Sequence, residues 1–267
     1  MIRELKKSDI SGLNSLPPID WKFDYEDFLN DFVGENYFRA FVMIQDTKIV
    51  GTGNVFFRDK IGWLANIIID ESLRGKGLGF KMTKFLVDYL NDKGCETQIL
   101  IATELGEPVY KKIGFAKIAD YQCFDTELGQ DYVMSSSIRK LDCSDLEKLY
   151  HLDNLANGEN RTHLIDKYYK TGFGYFNSDN DLLGFYLPDF GRGLVLSNDT
   201  KAGVELLKLK HSKKEIRTLL PIDNNAGIEF FKTSGLKKGY KCSRMILGKQ
   251  NKWNPKYIYS YGSGYCG

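Results

Sequence analysis

Apolar residues recur along this chain with two distinct periods. Trp63-Leu64-Ala65-Asn66-Ile67-Ile68-Ile69 is a short run rich in β-branched side chains, which predicts a strand. Beyond a polar, glycine-rich stretch, Met82, Phe85, Leu86, Tyr89 and Leu90 fall at i, i+3, i+4, i+7 and i+8. That is the stripe of an amphipathic helix, with Gly94 as its left-handed stop. Gln98 to Ala102 predicts a second strand, and Pro108 is placed to start another helix.

The stretch between the first strand and the helix is Arg74-Gly75-Lys76-Gly77-Leu78-Gly79. A helix start offers backbone N–H groups without partners and the positive end of the dipole, so it holds anions. Glycines let the backbone approach a phosphate closely, and Arg74 and Lys76 add positive charge. Taken alone, such a loop reads equally well as solvated surface. It is not a dinucleotide fingerprint, because five residues, Asp70 to Arg74, separate the strand from the first glycine. Nor is it a P-loop, since Asp70 stands five before Gly75 and Gly77 follows Lys76.

The two halves of the chain echo each other. Ile2-Arg3-x-Leu5-x-x-Ser8-Asp9-Ile10-x-x-Leu13 aligns with Ile138-Arg139-x-Leu141-x-x-Ser144-Asp145-Leu146-x-x-Leu149 at an offset of 136. Each predicts a strand and then a helix capped by its serine, with Ser144 and Glu147 forming a capping box. Three more pairs keep the order: Asp46 to Gly51 with Asp179 to Gly184, Gln98 to Ile101 with Arg217 to Leu220, and Val109 to Phe115 with Phe230 to Leu236. A boundary in the polar stretch Phe124 to Ser137 divides the chain into 1–130 and 131–267.

Composition narrows the function classes. At 267 residues the chain has room for roughly two domains. Lys+Arg number 37 against 35 Asp+Glu, and no basic run exceeds pairs such as Lys213-Lys214, so nucleic acid is not an expected partner. The longest apolar run, Ala40 to Ile44, is far short of a membrane span, and Met1 to Lys7 lacks the apolar region of a signal peptide. A cytoplasmic location follows as the expectation. The five cysteines, Cys95, Cys123, Cys143, Cys242 and Cys266, are widely spaced, and His151, His163 and His211 sit in no ligand-type spacing. Neither a disulfide framework nor a metal centre is expected.

The loop has the form R-x-x-G-x-G. With the strand before it, the helix and strand after it, and Pro108-Val109-Tyr110-Lys111-Lys112-Ile113-Gly114-Phe115, it resembles the GNAT superfamily of acyl-CoA-dependent N-acetyltransferases. The resemblance implies an α/β fold with a mixed sheet, acetyl-CoA as co-substrate and no metal. It puts the pyrophosphate on Arg74, Gly75, Lys76, Gly77, Leu78 and Gly79, and the pantetheine arm along the backbone of Ile67, Ile68 and Ile69. A splay between strands 63 to 69 and 98 to 102 would admit that arm. A small-molecule or peptide amine would be the acceptor. A non-catalytic acyl-CoA sensor and a peptide or protein N-acyltransferase are the alternatives.

More loosely, the likeness covers the second half, where Arg244-Met245-x-x-Gly248 resembles the end of tandem GNAT proteins. Ser197-Asn198-Asp199-Thr200-Lys201-Ala202-Gly203 stands where the first half has its phosphate loop, without the arginine and with an acid at Asp199 that would repel a pyrophosphate. Phe231 answers Tyr110 and has no hydroxyl. Two tandem modules are therefore expected, the first catalytic and the second degenerate.

Tyr110 is the candidate catalytic residue. A phenol near pKa 10 facing a thiolate near 8.5 mainly hydrogen-bonds the developing charge before water completes protonation. No base is evident: where many family members carry a carboxylate this chain has Asn66, and Glu104, the nearest acid, reads equally as a helix-start residue. Asp24, Glu26, Asp27 and Asp31 attract a cationic amine or form a solvated helix face. Leu187 to Gly191 is a further candidate acceptor segment. Trp253, Tyr257, Tyr259, Tyr261 and Tyr265 crowd the C-terminus, 257, 259 and 261 at strand period, to cover a sheet edge, wall the acceptor cleft or make a dimer contact.

Overall fold

The computed structural model describes residues 1–126, 132–212 and 216–263. Lys213-Lys214, Tyr265, Cys266 and the middle of the expected boundary lie outside the described residues. The chain divides into two compact units, Met1–Lys117 with Met245–Lys249, and Ile118–Arg244 with the described residues from Gln250 to Ser263. Among the described residues no helix is long and apolar enough to cross a membrane.

The first unit contains β1 (Ile2–Glu4), α1 (Tyr25–Phe32), β2 (Phe38–Gln45), β3 (Lys48–Arg58), β4 (Ile61–Ile69), α2 (Leu78–Asp92), β5 (Thr97–Thr103) and α3 (Glu107–Ile113). Strands β1 to β4 form an antiparallel series in chain order, and β4 pairs with β5 in parallel, so the sheet is mixed. Alternation along β3 separates its two faces. Val55 joins Leu64, Met82, Leu86, Leu90 and Leu100 in the core under α2. At Gly53 a side chain is excluded: a Cβ there would lie 2.8 Å from Leu86 Cδ1 and 3.1 Å from Met82 Cγ. On the opposite face Phe56 packs with Phe32 and Phe38, ring centroids 4.9 and 4.8 Å apart, beneath α1.

Two irregularities open this sheet. Thr52 pairs with Ile68 but Asn54 pairs with Ala65, so Gly53 faces two residues of β4 across a β-bulge. Asn66 supplies the bulge with φ of +47°, a left-handed conformation that Asn tolerates better than most residues. Pairing of β4 with β5 then covers only Ile61 to Trp63, matched to Thr97 to Ile99, although the strands continue to Ile69 and Thr103. The strands are splayed over the segment where the sequence leads one to expect it.

Strand β6 (Ala116–Thr126) leads into the second unit, with β7 (Ile138–Lys140), α4 (Leu146–Asn157), α5 (Thr162–Tyr168), β8 (Phe173–Phe176), β9 (Leu182–Leu187), β10 (Leu194–Ser197) and α6 (Thr200–His211). There follow β11 (Ile216–Pro221), α7 (Asn225–Thr233), β12 (Lys237–Gly248) and β13 (Ile258–Ser260). A five-stranded sheet has the order β13-β10-β9-β8-β7, and β6 lies between β12 and β11. The cysteines Cys95, Cys123, Cys143 and Cys242 are free thiols.

One expectation needs correcting. Ser8 and Ser144 are not helix caps: each lies inside a 3-10 turn, Lys7–Asp9 and Cys143–Asp145. The capping acceptors are Asp9, which takes the Lys6 amide at 2.7 Å, and Asp145, which takes the Asp142 amide at 3.0 Å. Arginine holds both acids in place. Arg3 donates to both oxygens of Asp9 at 2.7 and 2.9 Å, and Arg139 to both oxygens of Asp145 at 2.8 Å.

Candidate active site

The loop after β4 is shaped by short polar contacts. Asp70 accepts from the Ser72 amide at 3.0 Å and its hydroxyl at 2.6 Å, which folds Glu71–Leu73 into a 3-10 turn. The chain then reverses, and Arg74 reaches back with Nε donating to the Ile69 carbonyl at 3.2 Å. Its guanidinium is also 3.7 Å from Glu71, yet about a third of the side chain stays exposed. Gly75 and Gly77 have φ of +77° and +78°, and a Cβ at either would meet nothing within 4 Å. Backbone conformation, not crowding, requires glycine there.

Gly77 is the N-cap of α2, and no side chain caps the helix. The amides of Leu78, Gly79 and Phe80 are the helix's own partnerless donors, so a row of N–H groups faces outward beside the exposed Arg74 and Lys76. A Cβ at Gly79 would stand 3.9 Å from Ile69 Cγ1, which puts this helix start beside the end of β4. On that strand Ile67 is half-buried against the core under α2, while Ile68 and Ile69 are buried.

Tyr110 sits in the first turns of α3, where Pro108 fixes the helix start. Its ring lies over Gly106, where a Cβ would come within 2.8 Å of Cε2, and meets Phe115 edge-on at 6.2 Å. Tyr110, Ile67 and Leu78 pack against the same core cluster. Burial pushes the Tyr110 hydroxyl up to about 12. Proton donation to a thiolate near 8.5 is therefore steeper than for an ordinary phenol, and a hydrogen bond is what this hydroxyl can supply.

Two of the acids that the sequence left open, Asp24 and Glu26, hold backbone amides. Asp24 caps α1 by accepting from Asp27, and Glu26 accepts the Gly12 amide at 2.8 Å. Glu104 is exposed. Sequence reading missed a buried polar set on the α1 face of the sheet: the Tyr25 hydroxyl contacts Thr52 Oγ1 at 2.6 Å and donates to Asn54 Oδ1 at 3.0 Å. The Nδ2 atoms of Asn54 and Asn66 are both buried with no hydrogen-bond partner. Polar residues inside apolar strand runs were the available signal.

In the second unit the start of α6 is already satisfied. Asp199 is its N-cap and accepts from the Ala202 amide at 2.8 Å, so a carboxylate of the chain occupies the helix's anion position. Phe231 is fully buried and stacked on Phe124 at 4.4 Å. Of the tail aromatics, Tyr259 and Tyr261 are buried and Ile258–Ser260 pairs with β10, so this segment covers a sheet edge. Tyr257 ends a 3-10 turn and does not share the strand. No cluster of three or more metal-ligating side chains occurs among the described residues.

Comparison with known proteins places this geometry. Residues 9–115 match the model of the Acetyltransferase (GNAT) family. The glucosamine 6-phosphate N-acetyltransferase of Trypanosoma brucei brucei is 32% identical over 75 residues, 26% of this chain and 51% of that protein. Its counterpart in Arabidopsis thaliana is 34% identical over 76 residues, again 26% and 51%. The chain thus spans about half the length of the curated relatives it matches. In fold, it is similar to a putative acetyltransferase from Pyrococcus horikoshii, with TM-score 0.84, 17% identity, and 100% of this chain and 95% of that one covered. A GCN5-related N-acetyltransferase from Sphaerobacter thermophilus gives TM-score 0.68 at 13% identity, covering 95% and 98%. A mixed sheet splayed beside an uncapped, glycine-led helix lies within residues 9–115, the segment that is similar to the Acetyltransferase (GNAT) family.

Proposed function

We propose that the chain is an acetyl-CoA-dependent N-acetyltransferase that transfers an acetyl group to a primary amine by direct attack on the thioester. One observation carries this reading: the uncapped, outward-facing amides at the start of α2 stand beside the end of a strand whose edge is unpaired. Arg74, Gly75, Lys76, Gly77, Leu78 and Gly79 hold the pyrophosphate, and Ile67, Ile68 and Ile69 offer backbone groups to the pantetheine arm. These residues fit the donor, because the loop presents N–H groups and cations while the splay leaves strand edges free.

The amine nitrogen forms a bond to the acetyl carbon as the carbon–sulfur bond breaks. A strand amide near Ile68 or Ile69 faces the oxyanion, and the Tyr110 hydroxyl hydrogen-bonds the leaving thiolate, which water then protonates. The amine must arrive neutral or lose its proton on the way, at a cost of about 4.6 kcal/mol for a lysine-like amine at pH 7. No carboxylate of β4 takes that proton, since Ala65 and Asn66 stand there. Water leading to bulk is the assigned acceptor.

We read the second unit as a degenerate copy of the first, within modules 1–130 and 131–267. The matched Arg3–Asp9 and Arg139–Asp145 clamps support this, as does Asp199 on its own helix. Free thiols support a cytoplasmic setting. The lack of a strand carboxylate favours one second reading, an acyl-CoA sensor. Thiol release from acetyl-CoA, measured with an amino-sugar phosphate, a polyamine and an amino-terminal peptide, tests the proposal: amine-dependent release with one class supports it, and release independent of every amine favours the sensor.

A further inference from the structure

In the first unit, β4 and β5 separate after Trp63 and Ile99. The corresponding strands of the second unit, β10 and β11, are not paired with each other; β13 pairs with β10 as the end strand of one sheet and contacts β11, the end strand of the other. On one side, Val195 pairs with Ser260 and Leu196 with Ile258. On the other, the Tyr261 amide donates to the Leu219 carbonyl at 2.7 Å, and Asn224 Nδ2 donates to the Ile258 carbonyl at 2.9 Å.

Polar side chains fasten the same segment from within. Lys210, fully buried, donates to Ser260 Oγ at 2.5 Å and to the Gly193 carbonyl at 3.0 Å, and Ser260 Oγ donates to that carbonyl at 2.7 Å. The ring of Tyr259 lies against the first turn of α6, so close that a Cβ at Gly203 would be 2.3 Å from Cζ. Asp199 fills the anion position next to it.

The geometry points to Ile258–Tyr261 as a built-in occupant of the groove between β10 and β11, a peptide strand standing where the first unit leaves its strands apart for an acyl-CoA arm. The segment pairs with β10 as a strand and is tied to β11 by the Tyr261 amide, Tyr259 covers the helix start, and Asp199 replaces the phosphate. The groove is thereby closed to any acyl-CoA. This inference rests on reading the second unit as a divergent copy of the first.

Amide hydrogen exchange on the full chain, with and without saturating coenzyme A, tests it. Amides of 258–261 are expected to exchange at least about 100-fold more slowly than an unstructured peptide. Coenzyme A should slow Gly77–Phe80 and leave Thr200–Gly203 and 258–261 unchanged. Exchange of 258–261 at the unstructured rate would overturn the inference, as would slowing at Thr200–Gly203 by coenzyme A. If coenzyme A alters no amide, the donor site of the first unit fails, while protection at 258–261 still decides the occupant. Asn224→Ala removes one fastening and should speed exchange at 258–261 about tenfold, with α2 unaffected. Equal exchange in Asn224→Ala and the parent would count against the fastening; should that variant not fold, the parent protein supplies the decisive comparison.

Discussion

The Nε of Arg74 donates to the carbonyl oxygen of Ile69 at 3.2 Å, tying the side chain that opens the glycine loop to the last residue of β4. The contact uses Nε, while Nη1 lies 3.7 Å from the largely exposed Glu71, a loose pair that an anion can displace. A lysine keeps the charge but has no second nitrogen with which to hold the strand. Arg74→Lys should weaken acetyl-CoA binding about tenfold with little change in thermal stability, read as Kd and Tm on the same preparation.

Gly77 has φ of +78° with open space around the missing Cβ, so substitution there probes backbone strain alone. Gly77→Ala should cost about 1–2 kcal/mol of stability and weaken donor binding, because the amides of Leu78 to Phe80 shift with the helix start. Gly94→Ala, at φ of +78° at the far end of α2, is the control: similar destabilisation, donor affinity unchanged. Equal binding losses in the two variants would remove the loop from the donor site.

Tyr110→Phe keeps the ring over Gly106 and its edge contact with Phe115 and deletes only the hydroxyl. Turnover should fall about 10²-fold, with the KM for acetyl-CoA within about twofold. Unchanged turnover would leave Tyr110 a packing residue.

His211 is buried against Thr218, 2.8 Å from its hydroxyl, and burial lowers its pKa to about 3. Between that value and the ordinary 6.5 the unfolded chain binds a proton that the folded chain does not, so stability falls as pH drops through this window. At pH 5 the loss from this group is about 2 kcal/mol. His211→Gln should flatten the decline of Tm between pH 6.5 and 5; a slope identical to the parent's would contradict a neutral buried imidazole.

What the sequence discloses follows from which features are local. The stripe Met82, Phe85, Leu86, Tyr89, Leu90 and the stop at Gly94 depend on near neighbours, and α2 forms over Leu78–Asp92 as they require. The bulge at Asn66 depends on how β4 pairs with β3; within its own run the polar Asn66 marks the position but does not fix the shift in register. Ser8 and Ser144 read as caps because the competing acceptors, Asp9 and Asp145, are chosen by arginines that reach them only in the folded chain. The aromatic tail was visible as a cluster, but its seat between β10 and β11 comes from Asn224, Lys210 and Leu219, all distant in sequence. The loop proposed to hold the donor was legible because its six residues are consecutive; no comparable run marks an acceptor site.

Calorimetric titration of the purified chain with acetyl-CoA, repeated on Arg74→Glu, tests the central claim most directly. A single site per chain, lost in the variant, is the predicted result. Two sites per chain, no binding, or binding indifferent to Arg74 would contradict it.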